Sequence, residues 1–119
     1  MPTVAELLRQ AREEQKLNIY QVAEITKIKT DHIRALEAGQ YDAFSAPVYI
    51  RGFVRTYAKA LRLEKARELV EDTFLRIQEI EVTLGFKDST RFGKDFKVAY
   101  GLTPAKHRVR HRTEAAKHD

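Results

Sequence analysis

From Pro47 to Thr73 the chain carries nothing that would stop a helix, and this run constrains the fold more than any other feature. Proline at the first helical position gives up only an N–H that would be unpaired there anyway, so Pro47, after Ser45 and Ala46, marks a start. Continued to Thr73, the helix has ~25 residues and spans ~40 Å at the usual rise per residue. The segment TYAKALRLEKARELV, residues 56–70, lies in its middle without proline or glycine. In a chain of 119 residues, enough for one compact domain or two very small ones, such an element organises everything else.

The remaining punctuation is also helical. Thr3 and Glu6 have capping-box spacing, in which each side chain accepts a backbone N–H that the first turn leaves unpaired. They open an amphipathic segment with Val4, Leu7, Leu8 and Ala11 on one face. Asn18 and Gln21 repeat the signal and open a short helix to Thr26. A third helix runs from about Thr30 to Ala38 and stops at Gly39, suited to a left-handed C-terminal turn. After the long helix come Ile77–Leu84 ending at Gly85, Ser89–Tyr100 ending at Gly101, and a last helix opened by Thr103 and Pro104. No alternating strand pattern occurs, so the expected fold is all-α with about seven helices.

A weak internal repeat adds organisation. Ile19-x-x-Val22-Ala23-x-x-x-x-Ile28 parallels Ile77-x-x-Ile80-Glu81-x-x-x-x-Phe86. Each reads as a short helix, a tight turn and a second helix, the layout of a helix-turn-helix unit. The expected architecture is two such units joined by one long shared helix.

Composition excludes several classes. With no cysteine there is no disulfide framework, thiolate metal site or cysteine nucleophile. No apolar run approaches the ~18 residues of a membrane span, and the charged start is no signal peptide, so a soluble cytoplasmic protein is expected. The formal net charge is +5. From Lys87 to Arg112, eight Lys/Arg face only Asp88 and Asp95, so +6 is concentrated there. Such a patch is compatible with nucleic acid. His107 and His111, four apart, could share a helical face for a metal, but no third ligand of suitable type is near in sequence, so no metal site is expected. Glu64, Glu68, Glu71 and Asp72 read as a solvated helix face. Neither a nucleophile arrangement nor a glycine-rich phosphate loop occurs, so no enzyme and no cofactor are expected.

Residues 2 to about 60, in VAELLRQAREEQKLNIYQVAEITKIKTDHIRALEAGQYDAF followed by APVYIRGFVRTYAKAL, resemble the cytoplasmic helix-turn-helix domain of RodZ-type bacterial proteins. That resemblance implies docking on the bacterial actin MreB, and by position it implicates Phe53 and Tyr57. Both also lie on an apolar stripe (Ile50, Phe53, Val54, Tyr57, Leu61), which equally suits core packing. Residues 62 to about 110 resemble the C-terminal half of the AraC-type DNA-binding domain. RLEKARELVEDT is similar to that family's linker helix, and IQEI…LGFKDS…F…FK…YGLTPAKHR to its second helix-turn-helix unit. The long helix thus resembles two families overlaid in register. Its stripe is 50, 53/54, 57, 61 upstream and 63, 66, 69/70, 73 downstream, and going from 61 to 66 rather than 65 turns the buried face by ~140°.

The second part departs from its family pattern. Glu81 replaces the small alanine where two helices cross, and an unpaired carboxylate there would be costly to desolvate. Arg76 replaces a serine cap, at ~1 kcal/mol. Phe74 replaces an aspartate. Arg91, Gly93 and Asp95 replace an aromatic, a serine and a variable residue on the recognition helix. A surface redesigned against a new neighbour would carry such changes.

These features lead to an engineered, recombined helical protein, one domain over 1–119 with a RodZ-like part (2–60), an AraC-like part (61–112) and a tail (113–119). One continuous core is expected, with Phe74 at least partly buried. No selected activity is expected, only residual non-specific DNA affinity at low salt, with no required partner, no membrane and a monomeric state. The alternative is a bipartite DNA-binding transcription regulator, in which Ser89, Thr90, Arg91 and Lys94 face base edges while Lys97 and Arg108 hold phosphates. A further alternative is an MreB-docking adaptor using Phe53 and Tyr57.

Overall fold

The computed structural model describes residues 1–117, Val48 by its backbone alone. Among these residues there are seven α-helices and no strand: α1 (Val4–Glu14), α2 (Ile19–Thr26), α3 (Thr30–Ala38), α4 (Pro47–Asp72), α5 (Ile77–Thr83), α6 (Ser89–Tyr100) and α7 (Pro104–Lys117). A 3-10 turn at Tyr41–Ala43, unmarked by any sequence signal, precedes α4. The 26 residues of α4 are unbroken at Leu61–Leu63. No helix is long and apolar enough to cross a membrane. The expected tail is helical as far as Lys117, while 118–119 lie outside the described residues.

Two compact units divide the chain, Met1–Leu61 and Arg62 onward. Buried side chains form two clusters, one in each, rather than the single core expected. Tyr57 and Leu61 of α4 belong to the first cluster; Leu63, Ala66 and Val70 belong to the second.

In the first unit the caps are realised as the spacing predicts. Thr3 N donates to Glu6 Oε2 (3.3 Å) and Glu6 N to Thr3 Oγ1 (3.2 Å). Asn18 N and Gln21 N exchange the same pair of bonds at 2.8 Å each. Leu8, Val22, Ile33 and Leu36 close the apolar centre. Through it runs a polar network: the Arg12 guanidinium donates twice to Glu37 (2.8 Å each) and once to Leu17 O (3.0 Å), and Tyr57 Oη donates to Glu37 Oε2 (2.6 Å). Burial first, then the bonded Glu37 carboxylate, pushes the Tyr57 hydroxyl well above the usual tyrosine range.

The second unit packs Leu63, Ala66, Val70, Ile80, Phe92 and Phe96. An aromatic ladder continues from Phe86 through Phe92 and Phe96 to Tyr100, at centroid separations of 4.4, 5.9 and 4.7 Å. α4 has no basic residue in its last turn, and side chains of α7 satisfy its end instead. Arg108 Nε donates to Val70 O (2.9 Å) and Arg112 Nη2 to Thr73 O (2.6 Å).

Phe74 corrects one expectation. It follows α4 in an open turn, is 90% exposed, and is touched by the Arg112 guanidinium 4.5 Å above its ring. An aromatic left in water is no sign of a surface rebuilt against a new neighbour. The expected solvated face on α4 is revised in part: Glu68 and Asp72 are exposed, whereas Arg67 binds Glu64 (2.9 Å) and Glu71 (3.0 Å) and Tyr100 Oη donates to Glu64 (3.3 Å), drawing those two carboxylates inward.

Candidate nucleic-acid interface

The repeat seen in sequence is a repeat in geometry. In the first unit the turn between α2 and α3 passes through Lys27 at φ +61°, and in the second the turn after α5 passes through Gly85 at φ +78°. Both are left-handed, a conformation that closes the short helix and sends the chain sharply into the next. Val22 and Ile80, equivalent in the repeat, are both buried beneath their turns.

Helix α6 is the outward-facing second helix of the second unit. Asp88 caps it, accepting from Arg91 N (3.1 Å), and Gly101 at φ +87° ends it. Phe92 and Phe96 point into the core, so the helical period turns Thr90, Arg91, Lys94 and Lys97 to solvent. Arg91 lies 3.9 Å from Asp95, a half-buried carboxylate one turn on. The exposed side chains carry the donors and positive charge that duplex recognition needs.

Two of the predicted contact residues are placed elsewhere. Ser89 Oγ donates to Glu81 Oε1 (2.8 Å), so its hydroxyl is directed at α5 rather than outward. The same bond resolves the oddity of Glu81: at 7% exposure the carboxylate is buried, but a hydroxyl from the start of α6 partners it. Arg108 is half-buried against α4, and desolvation, then neighbouring Arg112, lowers its pKa from the usual arginine value. Its Nε–H closes the end of α4 at Val70 O (2.9 Å). One candidate was missed: Lys87, exposed immediately before the α6 cap and already part of the basic run.

Arg76, in place of a serine cap, leaves half a capping box, since its own N–H still donates to Glu79 Oε1 (3.4 Å). Gly93 stands in the interior of α6, and a Cβ built there meets no atom within 4 Å. Gly93→Ala should therefore stabilise the protein by about 1 kcal/mol through helix propensity alone, read as a higher urea midpoint with unchanged slope. A loss of stability would reveal a packing role for the glycine.

The residues offered for protein docking lie inward. Tyr57 is 0% exposed within the polar network, and Phe53 is half-buried against Phe44 (5.5 Å) and His32 (5.3 Å). Tyr57 presents no free aromatic face, and Phe53 leaves only part of its ring accessible.

Two left-handed turns, each between a short helix and a second helix, define a helix-turn-helix protein. The chain belongs to a helix-turn-helix domain family whose model matches residues 7–69. A second helix-turn-helix family model matches 54–110, so the two share 54–69, within α4. The matches are of RodZ type and AraC type respectively, in agreement with the two resemblances in sequence. The chain is similar to the cytoskeleton protein RodZ of Streptococcus pneumoniae, with 37% identity over 62 residues, covering 52% of this chain and 22% of that protein. It is also similar to the Msm operon regulatory protein of Streptococcus mutans, with 36% identity over 55 residues, covering 46% of this chain and 20% of that protein. The chain thus spans about a fifth of the length of these curated relatives. No solved structure matches it.

Proposed function

We propose that the chain is a bipartite helix-turn-helix DNA-binding protein whose second unit places α6 in the major groove. The observation that carries this reading is the division of α6: Phe92 and Phe96 hold it on the core while Thr90, Arg91, Lys94 and Lys97 face outward. Thr90, Arg91 and Lys94 are assigned to base edges, and Lys97 and Lys87 to phosphates. The likeness to an operon regulatory protein supports this reading. An engineered chain without selected activity is the weaker reading, because exposed Phe74 and partnered Glu81 remove its best signs. An MreB-docking role is weaker still, with Tyr57 internal. No reaction is assigned to the chain.

Selection from a random duplex library at physiological salt, followed by anisotropy titrations, tests the proposal. A defined sequence should be enriched. Arg91→Ala should reduce discrimination at one position by about 1–3 kcal/mol. Lys97→Ala should weaken all duplexes alike and lower the salt slope by about 1. Failure to bind any duplex at low salt would end this reading.

A further inference from the structure

We propose that His107 and His111 of α7, together with Glu71 and Asp72 at the end of α4, form a binding site for a borderline divalent transition ion such as Zn²⁺. The spacing of four puts both imidazoles on one side of α7, where their rings stack at 12° with centroids 6.4 Å apart. The third ligand that sequence distance hid is supplied by α4. Glu71 Oε2 lies 2.8 Å from His107 Nε2, and Glu71 Oε1 lies 4.0 Å from His111 Nδ1. One ligand atom each from Glu71, Asp72 and His111 falls within 4.8 Å of the others.

Those separations suit a shared ion. Zinc–nitrogen and zinc–oxygen bonds of about 2.0–2.2 Å put neighbouring tetrahedral ligand atoms about 3.3 Å apart. The observed 2.8 and 4.0 Å from Glu71 to the two imidazoles bracket that spacing. Two imidazoles and carboxylate oxygens favour Zn²⁺, Co²⁺, Ni²⁺ or Cu²⁺ over the hard Mg²⁺ and Ca²⁺. Glu71 (14% exposed side chain) and His107 (18%) are already withdrawn from bulk water, and His111 at 41% leaves a way in.

The opposing charges are Arg67, Arg108, Arg112 and Arg110, the last lining a cavity with both histidines and paired with Glu114 (3.0 Å). Arg67 donates to both Glu71 oxygens at 3.0 Å, but a carboxylate offers about four acceptor directions, so the guanidinium and the ion can share it. Arg108 and Arg112 each donate to a backbone carbonyl, of Val70 and Thr73, which fixes their position while their charge still opposes the ion. When the ion binds, the bond between His107 and Glu71 is replaced by two metal–ligand bonds, and His107 ligates through Nε2 as a neutral imidazole with its one proton on Nδ1. Because His107 also packs edge-on against Phe96 (5.4 Å), the ion would tie α7, the end of α4 and the underside of α6 together.

The untagged 119-residue chain titrated with Zn²⁺ by calorimetry, and with Co²⁺ by visible absorption, tests the site. Saturable binding at one ion per chain and a Tm that rises with Zn²⁺ are expected. Outer-shell losses already weaken metal sites by 10–100-fold, so removing a ligand with His111→Gln should weaken Zn²⁺ binding by about tenfold or more. Since its contact with Glu71 is long, that variant should keep the metal-free Tm. His107→Gln should weaken binding as well, from a lower starting Tm. No saturation at millimolar Zn²⁺, or undiminished affinity in the double variant His107→Gln/His111→Gln, would overturn the assignment.

Discussion

Replacing Glu37 with alanine is expected to destabilise the first unit by about 3–5 kcal/mol, the range for removing one partner of a buried ion pair. The Glu37 side chain is 6% exposed and receives three short hydrogen bonds, two from Arg12 and one from Tyr57. Without it, the Arg12 guanidinium stays buried with only Leu17 O as a strong acceptor, and the Tyr57 hydroxyl is left 3.5 Å from Leu8 O. The bonded Glu37, outweighing desolvation, raises the Arg12 pKa, so the cation cannot escape the cost by losing its proton. Hydrogen exchange at the buried Ile33 and Leu36 amides measures the loss. Tyr57→Phe, which removes one bond and leaves the ion pair, should cost about 1 kcal/mol. Arg34→Ala, at an exposed pair with Asp31, should cost no more than about 0.5 kcal/mol. A Glu37→Ala effect as small as that of Arg34→Ala would mean that water reaches the network.

Phe96→Ala is expected to cost a comparable 3–5 kcal/mol in the second unit, the usual range for emptying a buried phenylalanine site. Phe96 is fully buried and touches Phe92, Tyr100 and His107, so three rings would border the cavity. Phe74→Ala provides the contrast. Its ring is in solvent, and the contact with Arg112 contributes no more than about 1 kcal/mol at an exposed site. Urea midpoints of the two variants, followed by circular dichroism, should therefore separate clearly. Equal losses would contradict the burial described for the two residues.

Much of the helix layout was legible because its signals are local. Thr3/Glu6, Asn18/Gln21 and Pro47 act within one turn, and Gly39, Gly85 and Gly101 each take the left-handed turn their chemistry favours. The repeat was legible for the same reason, although Lys27 hides a left-handed turn behind a residue that seldom adopts one. Pairing across distance was not legible. Ser89 and Arg108 have the chemistry of DNA contacts, and nothing beside them in sequence indicates that Glu81 and Val70 O would claim them. A clue did exist for Arg108: α4 ends without glycine or a basic last turn, so its carbonyls needed donors from elsewhere. Phe74 misleads because an aromatic in place of the family's aspartate suggests a new neighbour, whereas single exposed aromatics are ordinary.

The arginines that close α4 also bear on the order in which the protein is made. Arg108 lies 38 residues beyond the carbonyl it serves and Arg112 lies 39 beyond its own. A ribosome adding about 5–20 residues per second needs roughly 2–8 s to cover that distance. Throughout that interval the last turn of the longest helix has been synthesised but lacks the donors that complete it. The nascent chain can finish the Thr3 and Asn18 caps as each emerges, whereas the C-terminal end of α4 must wait for α7 to arrive.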